Sequence, residues 1–443
     1  MNTNHLYSSG WRHHTKALQH ALHAKRLLKR TPLLILCSGS LLVGLIFLFF
    51  GAPWTSEQVS QAGNSPSGVE KKPVAIPERP AKKPVSIKLG DLNLDSAHSV
   101  DRFVLERAGG SIIVESSLDP GLQKYIIGLL QNSKTLKAAV VVLRPDDGRV
   151  LAMVSYDKEG NDESLCLKAD FPAASLFKIV SAAAALENAG FTPEQTVYFE
   201  GYKHTLYKRQ LKQNKGRHAS KVSFKRAFGS SINPVFGKLG IYDLGQKVMA
   251  DSAEKFFFNR SIPFDFPVSK SIVKVPDDDF GLAEISSGFN KDTVISPLHA
   301  ALLASAVANN GVMMKPWLVK RVLKQDGEVL YQRSPEEMSH SISKETAEDL
   351  KILMKETVLH GTCRKSFRRL RRKKAFKGVE LGAKTGTIND RTDQFKYDWV
   401  TAYVLPPGGA KGFCIAVLGV HGDKLGVRAG HLGRYIINYY LSS

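Results

Sequence analysis

Lys384-Thr385-Gly386-Thr387 is the stretch on which this 443-residue chain turns, because of what it implies for Ala174-Ser175-Leu176-Phe177-Lys178 and Ser231-Ile232-Asn233. In chain order the three spell S-x-x-K, S-x-N and K-T-G. The first pattern is common by chance, and Ser271 with Lys274 and Ser341 with Lys344 match it as well. Ser175 precedes both S-x-N and K-T-G, each of which occurs once.

Three residues separate Ser175 from Lys178, about one helical turn, so on a helix the two side chains share a face. An isolated pair of this kind usually faces solvent. Here the flanks are Ala173, Ala174, Phe177, Ile179 and Val180, and a lone ammonium buried among them would be costly. A lysine that sheds its proton in such a place becomes a base for the neighbouring hydroxyl, and a second cation nearby, Lys384, would lower its pKa further. Ser231 and Asn233 belong to a short helix or turn, where a hydroxyl can relay a proton and an amide can bind a peptide backbone. Taken alone, they read equally well as a helix cap. Lys384-Thr385-Gly386-Thr387 reads as a strand edge whose glycine admits a ligand against the backbone and whose ammonium and hydroxyls suit a carboxylate. One N–H of that edge, with that of Ser175, would form an oxyanion hole.

The elements around these motifs outline the fold. Ala139–Leu143 and Val150–Val154 flank the Asp147-Gly148 turn, a hairpin signal. Helices are expected over 120–132, Ser175–Asn188, Phe224–Leu239, Pro297–Asn309, Ser343–Leu359 and Arg428–Leu441, a strand or hairpin over Met313–Val322, and strands over Ala383–Ile388, Trp399–Leu405 and Phe413–Val420. Glu200–Val222 reads as a polar loop. Strands at both ends with helices between them predict an α/β (α+β) domain, an antiparallel β-sheet flanked by helices with an all-helical lobe inserted.

From about Ile112 onward the chain resembles the transpeptidase domain of penicillin-binding proteins, whose signature is the S-x-x-K, S-x-N and K-T-G set shared with serine β-lactamases. Phe228-Gly229-Ser230-Ser231-Ile232-Asn233-Pro234, Ile295-Ser296-Pro297-Leu298-His299 and Trp399 extend the resemblance. It implies that Ser175 is the acylated nucleophile, Lys178 its base, Ser231 a proton relay and Asn233 a substrate contact. Lys384, Thr385, Gly386 and Thr387 would hold the substrate's terminal carboxylate, with the Thr387 N–H joining the oxyanion hole. The implied reaction is D,D-transpeptidation: peptidoglycan stem peptides are cross-linked through an acyl-enzyme, and β-lactams act as covalent inhibitors. Interception by water would make the same site a D,D-carboxypeptidase. A β-lactamase would need a deacylating base, and no convincing E-x-x-N is present; a β-lactam sensor or wall-synthesis scaffold is the non-enzymatic alternative. The chain departs from the family at Ala173-Ala174 and at Ala383, small residues where the family carries Pro-Gly-like or Gly residues. No glycosyltransferase motif is visible.

The N-terminal region reads as an anchor. The first thirty residues lack Asp and Glu but include Arg12, Lys16, Lys25, Arg26, Lys29 and Arg30, and an apolar run follows over 33–52. About 20 helical residues rise about 30 Å, enough to span a bilayer, and the cationic flank places residues 1–32 in the cytoplasm. The run is longer than the core of a cleaved signal peptide. Residues 53–90, rich in Pro, Lys, Gly and Ser, are read as an extended linker, and 91–443 as the catalytic domain outside a bacterial inner membrane. Export removes nucleic acid as the explanation of the +21 net charge and leaves anionic lipid or wall polymer. Nine Lys and Arg between Arg364 and Lys377, with no acidic residue among them, are the densest part of that charge. Cys37 lies in the span, so Cys166, Cys363 and Cys414 allow one bridge at most. No cofactor or metal motif is present. Asp279-Phe280-Gly281 copies a kinase tripeptide without the motifs that give it meaning.

Overall fold

Alternation along the apolar strands decides the architecture. The computed structural model describes residues 101–106, 110–160, 164–213, 218–409 and 411–442. Its central sheet consists of β1 (Lys137–Leu143), β2 (Val150–Asp157), β3 (Glu380–Asn389), β4 (Lys396–Leu405) and β5 (Phe413–His421), in the spatial order β3-β4-β5-β1-β2 with every pair antiparallel. Helices α1 (Pro120–Gln131), α2 (Lys178–Asn188), α3 (Phe224–Gly229), α4 (Asn233–Leu239), α5 (Pro297–Ala308), α6 (Lys344–Leu359) and α7 (Ala429–Ser442) surround it.

Successive strand side chains point to opposite faces. Val140, Val142, Val400 and Ile415 therefore pack with Leu122, Ile126 and Leu130 of α1 and with Ile436 and Ile437 of α7. Ala139, Val141, Ala416 and Leu418 face the other core, which takes in α5 and the helical region. Every residue of α5 is buried. A helix apolar on all sides is stable only when covered all round, and α5 packs on β1, β4 and β5 of the sheet and on α6. The mixed α/β class and the antiparallel sheet agree with the expectation from sequence.

Four local readings are refined. The expected helix from Ser175 begins as a 3₁₀ turn, Ala174–Phe177, and becomes α-helical at Lys178. The expected Phe224–Leu239 helix breaks between α3 and α4, with Ser231 at φ 53°. Pro234, in the first turn of α4, is well placed to start that second helix. The polar loop is bracketed by paired strands, Thr196–Phe199 just before it and Ser220–Ser223 at its end. A separate four-stranded antiparallel sheet, 102–105, 112–116, 319–324 and 329–332, had only its third strand foreshadowed. Cys166, Cys363 and Cys414 are buried free thiols.

The basic tail, the 33–52 span and the 53–90 linker lie outside the described residues. Among the described residues no helix is long and apolar enough to cross a membrane.

Candidate active site

The three motifs meet because β3 stands at one end of the central sheet and the turn bearing Ser175 packs against it. A Cβ placed on Gly386 would lie 3.1 Å from the Ala174 Cβ and 3.4 Å from the Ser175 N. A side chain there would press the strand and the turn apart by a few tenths of an ångström. Ala174 takes φ 48°, a left-handed conformation that an L side chain adopts at a cost. Beneath the turn is Gly288, at φ 60°, which ends the Asp279–Ser287 helix. Trp399, paired with Gly386 across the sheet, is fully buried and donates its indole N–H to the Pro172 carbonyl at 3.0 Å.

Lys178 has no exposed surface. Its Nζ lies 3.0 Å from Ser175 Oγ and 2.8 Å from Asn233 Oδ1, and it also bonds the Ser287 carbonyl. Burial, and after it the charge of Lys384, holds this amine well below the usual lysine pKa. A neutral amine carries two N–H groups and one lone pair. Asn233 Oδ1 and the Ser287 carbonyl can only accept, so they take both N–H groups. The lone pair is left for the Ser175 hydroxyl, which must donate. The proton is thereby poised to move from Ser175 to Lys178 as the oxygen attacks.

Lys384 is equally buried, with its pKa lowered by burial to about 7. Its Nζ lies 3.0 Å from Ser231 Oγ and 3.1 Å from the Thr385 carbonyl. Nearby Cys363 is pushed up to about 12 by its own burial, so at neutral pH it is an uncharged thiol and supplies no counter-charge. Phenyl rings close the site: Phe236 lies 5.4 Å from Lys178 Nζ and Phe228 5.4 Å from Lys384 Nζ. Ala173, Ala174, Phe177, Ile179 and Val180 are buried as expected. The rings that face the two amines, however, come from α3 and α4 rather than from the helix carrying Ser175.

Thr385 and Thr387 lie toward the surface of β3. Thr387 Oγ1 donates to Asp398 Oδ1 at 3.1 Å and accepts from Arg428 Nη2 at 3.2 Å. Asp398 in turn accepts from Arg428 Nε at 2.8 Å and from the Ala429 N–H at 2.7 Å. Thr385 Oγ1 lies 2.6 Å from Thr362 Oγ1. His204 Nδ1 sits 3.2 Å from the Ser231 carbonyl, its pKa lowered by burial and by both lysines. Sequence reasoning missed the Ser287 carbonyl, Phe228, Phe236, Asp398, Arg428 and His204. A backbone carbonyl has no residue-type signature, and the others earn their place only through contacts across the chain. Ser271 and Ser341, the serines of the spare S-x-x-K matches, are buried away from these lysines' hydrogen bonds. Among the described residues no group of His, Cys, Asp and Glu could hold a metal ion.

Residues 138–424 match the sequence profile of the penicillin-binding protein transpeptidase domain, well over half the chain. The chain belongs to the penicillin-binding protein transpeptidase family. Its similarity reaches individual members. The peptidoglycan D,D-transpeptidase PbpA of Mycolicibacterium smegmatis is 26% identical over 357 residues, spanning 72% of this chain and 70% of that one. The protein of the same name from Mycobacterium tuberculosis is 27% identical over 365 residues, spanning 73% and 71%. The crystal structure of PBPA from M. tuberculosis superposes with a TM-score of 0.59 at 25% identity, covering 73% of this chain and 81% of that one. Its penicillin G acyl-enzyme complex gives 0.57, covering 74% and 80%. Ala173, Ala174 and Ala383, where the chain departs from the family pattern, are all buried.

Proposed function

We propose that this chain is a peptidoglycan D,D-transpeptidase acting through an acyl-enzyme on Ser175. One observation carries the assignment of roles: the fully buried Lys178 Nζ lies 3.0 Å from Ser175 Oγ, and its two other partners, Asn233 Oδ1 and the Ser287 carbonyl, can only accept, so the neutral amine would turn its lone pair to the Ser175 hydroxyl.

Ser175 Oγ attacks the penultimate D-Ala carbonyl of a stem peptide, forming a C–O bond as its proton passes to Lys178. The negative charge moves onto the carbonyl oxygen, beside the Ser175 and Thr387 N–H groups. The C–N bond then breaks, and a proton reaches the leaving D-Ala nitrogen through Ser231, which Lys384 holds at 3.0 Å. An amine of a second stem attacks the ester, gives up its proton along the same path, and returns Ser175 to its hydroxyl form. Asn233 is positioned both to fix the Lys178 amine and to meet the substrate backbone. Lys384, Thr385 and Thr387 line the place of the terminal carboxylate, and the Gly386 backbone allows the peptide to lie against β3. The chemistry requires no metal or cofactor.

We place the catalytic domain outside the bacterial inner membrane, with 33–52 as a single-pass anchor and 1–32 in the cytoplasm. The apolar run and its cationic flank support this reading. Retention of the chain in carbonate-washed membranes tests it, and release into the wash would overturn it.

The experiment for the activity is intact-mass spectrometry after penicillin treatment. A stable adduct of one drug mass on the native chain, absent from Ser175→Ala, is expected. Rapid return of the native mass with hydrolysed drug would instead make the protein a β-lactamase.

A further inference from the structure

The segment between Arg364 and Lys377 is a folded surface rather than a loose loop. It forms a turn of helix, Arg364–Phe367, followed by 3₁₀ turns at Leu370–Arg372 and Lys374–Phe376. Phe367, Leu370 and Phe376 are buried in the core that holds β3, β4 and α7. Pinning these three apolar side chains inward turns the rest outward, and all nine Lys and Arg of the segment are exposed.

The charge is not neutralised from within. The segment contains no carboxylate, and the acidic residues that bracket it are engaged elsewhere. Glu356 bonds Arg226 at 3.0 Å and His360 at 2.9 Å, and Glu380 accepts from the Tyr403 hydroxyl at 3.0 Å. Among the described residues none of the nine cations forms an ion pair with a carboxylate. The one side-chain bond among them joins Lys373 to Asn438 Oδ1 at 2.5 Å.

The surface begins at the cleft. Thr362, two residues before Arg364, touches the Thr385 hydroxyl of β3, and its N–H bonds the Gly229 carbonyl at 3.0 Å, two residues before Ser231. Two residues of chain span at most about 7 Å, within the Debye length of about 8 Å at physiological ionic strength.

We propose that this surface binds the carboxylates of stem peptides adjacent to the one in the cleft, on the same uncross-linked wall polymer, and so holds the polymer while one stem reacts. The inference rests on the transpeptidase reading, because that reading makes the substrate a polymer whose stems each end in a carboxylate. A row of fixed cations beside the carboxylate-binding strand is complementary to such a repeating anion. The surface fits a membrane less well. Its large apolar side chains, Phe367, Leu370 and Phe376, are buried, and the exposed Ala375 offers only a methyl group to insert among acyl chains.

The test uses the full-length chain in detergent and a variant carrying Arg368→Glu, Arg369→Glu, Arg371→Glu and Arg372→Glu. Co-sedimentation with purified uncross-linked wall polymer should fall at least about tenfold for the variant at physiological ionic strength. Acylation by fluorescent penicillin should stay at the native rate, which also certifies the variant's fold. Native chain should lose the same binding when the polymer's carboxylates are converted to amides, an arm that needs no variant. Equal sedimentation of both proteins, or full binding to the amidated polymer, would overturn the proposal. So would a variant that loses affinity only for phosphatidylglycerol vesicles, which would assign the surface to the membrane. A native chain that binds polymer but is never acylated would sink the transpeptidase reading and leave the polymer contact standing.

Discussion

Gly288→Ala should disable the site from outside it. A Cβ at this position would stand 2.0 Å from the Ala174 carbonyl oxygen, 2.6 Å from the Ala174 carbonyl carbon and 3.0 Å from the Ser175 Cα. Favourable carbon contacts begin near 3.5 Å, so the turn and the helix end must separate by about 1.5 Å. All three clashing atoms are backbone, so no side chain can rotate away. The displacement acts on Ser175 directly and on Lys178 through the Ser287 carbonyl, the residue before Gly288. Misplacing reacting groups by about 1 Å costs on the order of a hundredfold in rate. The second-order rate constant for acylation by fluorescent penicillin should therefore fall at least about a hundredfold.

The left-handed conformation of residue 288 adds about 1–2 kcal/mol of destabilisation for alanine, which a thermal melt would register. Gly190→Ala is the control. Gly190 has φ +63°, but nothing lies within 4 Å of its added Cβ. It should show the loss of stability and keep the native rate. If Gly288→Ala acylates as fast as Gly190→Ala, the close approach is not what holds Ser175 in place, and the reasoning fails.

Lys178→Met keeps the bulk of the side chain but removes the base, and should slow acylation by about 10²–10⁴-fold, measured by quenched-flow labelling. It also leaves Asn233 Oδ1 and the Ser287 carbonyl without their buried donor, at about 1–3 kcal/mol each, visible in denaturant melts. The pH profile of acylation should rise with pH through a Lys178 pKa well below the ordinary 10.5 and remain active at neutral pH. If the Lys384 ammonium assists, the rate should decline again above about 7; a profile that climbs only near 10.5 would refute the buried neutral base. Stability responds in the opposite direction above about 7. Between about 7 and 10.5 the unfolded Lys384 binds more protons than the folded one, so the contribution of Lys384 to stability increases with pH over that window, as chemical melts across the window would show. Asp398→Ala removes the acceptor shared by Thr387, Arg428 and the Ala429 N–H, and should cost about 2 kcal/mol, less than a fully buried pair because Arg428 is partly exposed. It should also weaken the capture of carboxylate-bearing substrates, read as a raised KM.

Much of this protein is legible along the chain. The β-branched runs at 139–143, 399–405 and 413–420 are strands in the structure, extended by a few residues, because a buried strand needs little beyond apolar side chains of the right length. The three motifs pointed to Ser175, Lys178, Ser231, Asn233 and Lys384, and the hydrogen bonds join them as a trio, Ser175 and Asn233 on Lys178, and a pair, Ser231 on Lys384. The break at Ser230–Ile232 was harder to read, since Phe224–Leu239 has an apolar pattern consistent with one continuous helix and only Pro234 hints at a restart. The four-stranded side sheet escaped for a different reason: its strands are short and pair across some two hundred residues.

By itself, then, the sequence determined the class of chemistry, the order of the reacting groups and the strands of the central sheet. Those depend on residue type and short-range spacing, which are written locally. Tertiary structure alone decided that the buried Lys178 amine sits within hydrogen-bond reach of Ser175 with its pKa lowered, that Phe228 and Phe236 face both lysines, and that Arg428 and the start of the 364–377 surface lie beside β3. Desolvation, lone-pair direction and the proximity of charges are properties of the space between distant segments. No stretch of chain records them until the fold has brought those segments together.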